Sequence, residues 1–206
     1  MSSLPTHPAL KIALAWVEPG TRDRLAALFA FDAHLGILVS KAIEPLLAQI
    51  RLAWWRDRLS EPVADRPKGD PVLDSLGARW SGNEKALIDL VDGWEGLLDT
   101  APLSAATIDT FANARAQAFD AAAKGTFNAG KRWALADFAS RTSNALERET
   151  ALELARVVPA QPPLPRTLRG LAVLDALATR SLAREEPLLM GRSAALLAWR
   201  VGLLGR

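Results

Sequence analysis

The sequence predicts an all-α fold, and three observations carry that reading. Alanine and leucine are abundant while tyrosine is absent. Apolar residues recur at helical spacing, and no stretch sustains a period-two alternation of β-branched residues. Proline and glycine fall at intervals that divide the chain into helix-length pieces.

Each element follows from local chemistry. A first helix is predicted over residues 8–17, with Pro8 in its first turn. Pro19 and Gly20 are read as its end, and Thr21 as the cap of a long second helix reaching Ser40. A third helix spans residues 44–59, with Pro45 tolerated at its start. Residues 61–71, rich in Pro, Gly and Asp, read as a loop. A short helix follows over residues 72–80. Asn83 then caps a helix ending near Thr100, and Ser104 or Thr107 opens one that reaches Ala123. Gly125 and Gly130 are read as punctuation. Helix resumes near Lys131 and again through residues 144–157. The run PAQPPLP breaks the chain before two final helices, over residues 166–184 and 187–204. No repeat at a solenoid period is present.

Bulk properties narrow the function. With 206 residues, half of them hydrophobic, the chain suits one domain around one core, residues 1–206. There is no cysteine, which excludes disulfides, thiolate catalysis and Cys-based zinc sites. Two histidines, His7 and His34, cannot build a metal site alone. No nucleotide-binding glycine loop, nucleophile elbow or HExxH pattern occurs. No dense Lys/Arg row marks a nucleic-acid face. No apolar run reaches the length of a membrane span; the longest stretch, residues 194–204, is broken by Arg200. The N-terminus lacks the pattern of a secretory signal. The expected location is cytoplasmic. The excess of seven arginines over Asp175, Glu185 and Glu186 beyond Pro163 is compatible with the surface of an inner membrane or an acidic partner.

Two helices are the most informative. On the second, Leu25, Leu28, Leu35 and Val39 form one stripe, with Phe29 on its flank. Asp32 falls in the middle of that stripe. A buried carboxylate costs several kcal/mol unless it is paired, so Asp32 requires a partner. On the third helix, Ile43, Leu47, Ile50 and Trp54 line one face, and Leu52, Trp55 and Leu59 another. An apolar surface on two sides predicts a central helix. Arg51 or Arg56 is then the expected partner of Asp32.

The same segment carries a family resemblance. Ala-Leu-Phe-Ala-Phe at residues 27–31, Glu44-Pro45, Gln49-Ile50-Arg51-Leu52 and Trp54-Trp55-Arg56 followed by Leu59 resemble the squalene/phytoene synthase family. The likeness is nearest to its non-catalytic subgroup, which includes mitochondrial complex I assembly factors. Asp70-Pro71-Val72-Leu73 fits as well, and residues 166–180 are a weaker echo. The resemblance implies an isoprenoid-synthase-like helical bundle around a central cavity, which the short chain is expected to truncate or fill. Active members use two aspartate-rich motifs on facing helices to hold magnesium against prenyl diphosphates. Here the first motif's positions fall on Gly36 and Ser40, and the second maps to Asp137 and Arg141. One acid of four remains, which argues against catalysis and against a bound cofactor.

The resemblance therefore implies an assembly or interaction factor for an unidentified protein partner, with respiratory complex I, a membrane-associated assembly, as the candidate. Two alternatives stand beside it. One is a magnesium-dependent head-to-head prenyltransferase, which needs Asp32, Asp137 and Asp109 or Asp120 around one cavity. The other is an isoprenoid or lipid binder. The candidate cavity residues are Asp32, Arg51, Trp55, Arg56, Asp137 and Arg141, with no catalytic or metal-binding residue assigned.

Overall fold

The computed structural model describes residues 8–205. Among them are ten α-helices and no strand. They are α1 (Pro8–Ala15), α2 (Pro19–Ser40), α3 (Pro45–Ser60), α4 (Pro71–Arg79), α5 (Glu84–Gly96), α6 (Ala105–Ala122), α7 (Phe127–Arg141), α8 (Ala145–Arg156), α9 (Arg169–Arg184) and α10 (Gly191–Leu204). His7 lies outside the described residues.

Capping chemistry sets several of the starts. Asp70 accepts from the backbone N–H groups of Val72 and Leu73, Ser104 from Thr107, and Asn144 from Leu146 and Glu147. These side chains satisfy donors that a helix start leaves without partners. Pro19 departs from the sequence reading. It opens α2 at its first turn rather than closing α1, because a missing N–H costs nothing there. Thr21 accordingly lies inside the helix, not at its cap.

The central helix is α7. Ten of its fifteen residues are buried, and it packs against α6, α8 and α9. Half of those buried residues are alanine or glycine, which lets neighbouring backbones approach closely. Gly130 lies inside this helix rather than between helices. A Cβ placed there would stand 2.9 Å from the Phe119 Cβ and 3.1 Å from the Ala116 Cα, so hydrogen at this position permits the α6–α7 contact. The third helix is not central. Ala48, Leu52, Trp55 and Leu59 face the core, but Ile43, Leu47, Ile50 and Trp54 are exposed. Periodicity records which residues share a face; it does not record whether a second neighbour covers that face.

The aromatic core gathers where α2, α6 and α7 meet. Phe29 packs on Phe119 and Trp133, with ring centroids 5.5 and 6.2 Å apart. Trp55 closes the α2–α3 contact against Phe31 and His34. Burial lowers the His34 pKa below its usual value, and the Asp70 carboxylate opposes that only in part.

The tightness of the α6–α7 contact is testable. Gly130→Ala gains about 1 kcal/mol of helix propensity, but overpacking against a Cβ and a backbone atom costs about 1–3 kcal/mol. The expected net effect in urea unfolding is destabilisation. A stabilised variant would show that the two helices are not held at this distance.

Candidate functional site

A cavity of about 370 Å³ opens beside the aromatic core. Phe29, Trp94, Phe111, Trp133 and Phe138 line it together with aliphatic side chains such as Leu10, Ile37 and Leu97. Asp32, Arg115, Asp137 and Arg141 supply its charge. It reaches solvent at Ser40 and Arg141, both exposed.

Arg115 organises the charged side. It is 4% exposed and comes from α6. Its Nε donates to Asp32 Oδ1 at 2.9 Å, and its Nη2 to Asp32 Oδ2 in the second half of a bidentate pair. Its Nη1 donates to Asp137 Oδ2 at 3.0 Å. A planar guanidinium suits this fork, because its donors diverge in one plane. Two further donors reach the same carboxylates. Trp94 Nε1 donates to Asp32 Oδ1 at 2.9 Å, and Arg141 Nε to Asp137 Oδ1 at 2.9 Å. The guanidinium carbon lies 4.2 Å from the Trp133 ring centre and 5.0 Å from that of Phe111. The aromatic faces add cation–π attraction to a charge already paired.

The electrostatics follow from that geometry. Burial alone would lower the Arg115 pKa, but Asp32 and then Asp137 outweigh it and hold the pKa above the ordinary arginine value. Burial alone would raise the Asp137 pKa, but Arg115 and then Arg141 overcome it and hold that carboxyl below the ordinary range. Two carboxylates and two guanidiniums leave the group neutral in sum.

Only part of the sequence-derived site is brought together. Asp32, Asp137 and Arg141 line one cavity. Arg51, Trp55 and Arg56 are not among its lining residues. Arg51 is exposed on α3. Arg56 pairs with Asp92, at 2.8 Å, and with Glu95 on α5. Trp55 is buried in the core on the α2–α3 side. The expected pairing of Asp32 with Arg51 or Arg56 is therefore corrected: the partner is Arg115, 83 residues away in sequence. The signal for Arg115 was present. It lies in the stripe of Ile108, Phe111, Phe119 and Ala122 on α6, as Asp32 lies in that of α2.

Gly36 and Ser40 also line the cavity. Trp94 crowds Gly36 so closely that a Cβ there would stand 3.0 Å from the edge of its six-membered ring. Asp109 and Asp120 are engaged elsewhere. Asp109 pairs with Lys131 at 2.8 Å, and Asp120 accepts from the backbone N–H groups of Gly125 and Thr126. Neither lines the cavity. Among the described residues, no group of three or more Asp, Glu, His or Cys side chains is placed to share a metal ion. The buried Trp133 indole N–H has no protein acceptor.

No protein-family model matches the chain, and comparisons with curated proteins and with solved structures return no significant match.

Removing the central cation tests the network. Arg115→Met leaves Asp32 without a cation and Asp137 with Arg141 alone, and the expected loss in urea unfolding is about 3–5 kcal/mol, the usual result of breaking a buried pair from one side. A loss below about 1 kcal/mol, typical of an exposed pair, would show that the group is hydrated rather than buried.

Proposed function

We propose that the chain is a non-catalytic squalene/phytoene synthase-like protein with an isoprenoid-synthase-like fold, acting as an assembly or interaction factor. The observation that carries this reading is the use of the cavity's acids. Asp32 and Asp137 spend their oxygens on Arg115, Arg141 and Trp94. A magnesium cluster for a diphosphate needs several carboxylates free to turn their oxygens toward the ion. The residues present do not fit that requirement.

The family reading has its own support. Gly36, Ser40, Asp137 and Arg141 are the four positions onto which the resemblance maps the acidic motifs, and all four line one cavity. Each pair is spaced four residues apart on one helix, so the gathering amounts to one face of α2 meeting one face of α7, the arrangement the resemblance expects. At the first of them, Trp94 takes up the space that a longer side chain would need. The exposed apolar side chains of Leu47, Ile50 and Trp54 on α3, with Ile43 just before it, support the interaction half of the reading. Respiratory complex I is proposed as the assembly served, on the strength of the resemblance alone.

One observation favours a second reading, an isoprenoid or lipid binder. The cavity is neither closed nor filled, and it combines an apolar wall with an exposed guanidinium at Arg141. Arg51 and Arg56 have no part in it. An apolar chain with an anionic head would suit that combination.

Thermal unfolding with farnesyl or geranylgeranyl diphosphate, each with and without magnesium, separates the readings. A ligand that binds the native state raises the melting temperature, by about 2.7 kcal/mol of added stability at a hundredfold excess over Kd. The interaction-factor reading expects no magnesium-dependent shift. A shift in magnesium alone would overturn it in favour of the prenyltransferase, and a shift indifferent to magnesium would favour the binder.

A further inference from the structure

The last helix presents a surface that the cavity does not explain. Its inner face is small: Ala194, Ala198, Val201 and Gly202 are buried. A Cβ at Gly202 would run into the Trp16 ring, so α10 lies close against the end of α1. Two arginines from α9 fasten it. Arg180 Nη2 donates to the Met190 carbonyl and to Ser193 Oγ, each at 3.0 Å, at the start of α10. Arg169 Nη1 donates to the Leu203 carbonyl at 2.6 Å, and the Gly202 carbonyl lies 3.4 Å away, at the end. Both ends are held, so the outer face keeps a fixed orientation.

That outer face is large, apolar and cationic. At about 100° per residue, Arg192, Leu196, Trp199 and Leu203 fall within one narrow sector opposite the buried residues, with Arg200 on its edge. Leu196 is 66% exposed, Trp199 63% and Leu203 41%. Arg192 and Arg200 are exposed beside them. From Pro187 to Arg206 the sequence holds three arginines and no acid. The exposed row on α3 differs in this respect, since Glu44 and Asp57 accompany Arg51 and Arg58 there.

We propose that the outer face of α10 docks the protein on an anionic lipid bilayer. The chemistry matches on both counts. Leucine and tryptophan enter the boundary between headgroups and acyl chains, where an indole suits the mixed environment. Arginines on the same face meet lipid phosphates while their stems stay against the apolar layer. A protein partner would also accept the apolar side chains, but the single sign of the charge favours a surface that is uniformly negative. No helix among the described residues is long and apolar enough to cross a membrane, so the helix lies along the surface. The inference stands apart from the cavity and from the family reading.

Co-sedimentation of the full chain with phosphatidylcholine vesicles, with and without phosphatidylglycerol, tests it. Binding is expected to the anionic vesicles and to weaken in high salt. Arg192→Ser with Arg200→Ser should reduce it about fivefold per arginine. Leu196→Ser with Trp199→Ser should reduce it at least as much, and because these side chains face outward the melting temperature should hold. Ile50→Ser with Trp54→Ser, on α3, should leave binding unchanged. Absence of binding to anionic vesicles, equal binding to neutral ones, or loss through the α3 variant instead of the α10 variants would each overturn the proposal.

Discussion

The structure depends on one guanidinium buried in the apolar interior. Arg115 enters the apolar centre from α6 and is met there by carboxylates from α2 and α7. Each of the three charges would be untenable in that place alone. Together they make three charge-assisted hydrogen bonds, and Trp94 and Arg141 donate to the same two carboxylates. The cost of burying them is offset only in this arrangement, so the network fixes how three helices stand relative to one another.

That constraint shapes the cavity. The charged group forms one side of it, the aromatic rings of α2, α5, α6 and α7 the other. A cavity whose acids are neutralised by arginine offers an apolar chain a place without offering magnesium a cluster. A second buried pair, Arg132 with Asp175, ties α7 to α9 in the same manner. There burial dominates: it raises the Asp175 pKa despite the neighbouring guanidinium. The two networks thus share a construction but not a balance.

Much of the fold was legible from local pattern, because helix starts, breaks and stripes are local properties. The stripe containing Asp32 is buried as its spacing requires, and the demand for a partner follows from burial alone. The identity of the partner was not legible. Arg115 is 83 residues away, and helical periodicity carries no information about which stripes meet. The reading of α3 as central failed for the same reason: its second apolar row is real, but nothing covers it among the described residues. Gly130 was misread because one residue type serves two ends, breaking helices and letting them approach; only the neighbouring Phe119 distinguishes the second. Within the site, Asp137 and Arg141 line the same cavity as Asp32, whereas Arg51, Trp55 and Arg56 lie outside it because α3 is not central.

The central claim is that Asp137 is buried and ionised between two guanidiniums. Carboxyl-carbon NMR of the protein, with Asp137→Asn to assign the signal, measures this directly as pH is lowered. Because its folded pKa is depressed, the stabilisation it gives is present above the unfolded value and is lost as pH falls through the folded one. The account predicts a midpoint below the ordinary 3.8, with stability declining through the same acid range. A midpoint at or above 3.8 would contradict it, since the two guanidiniums would then not outweigh the burial of that carboxyl.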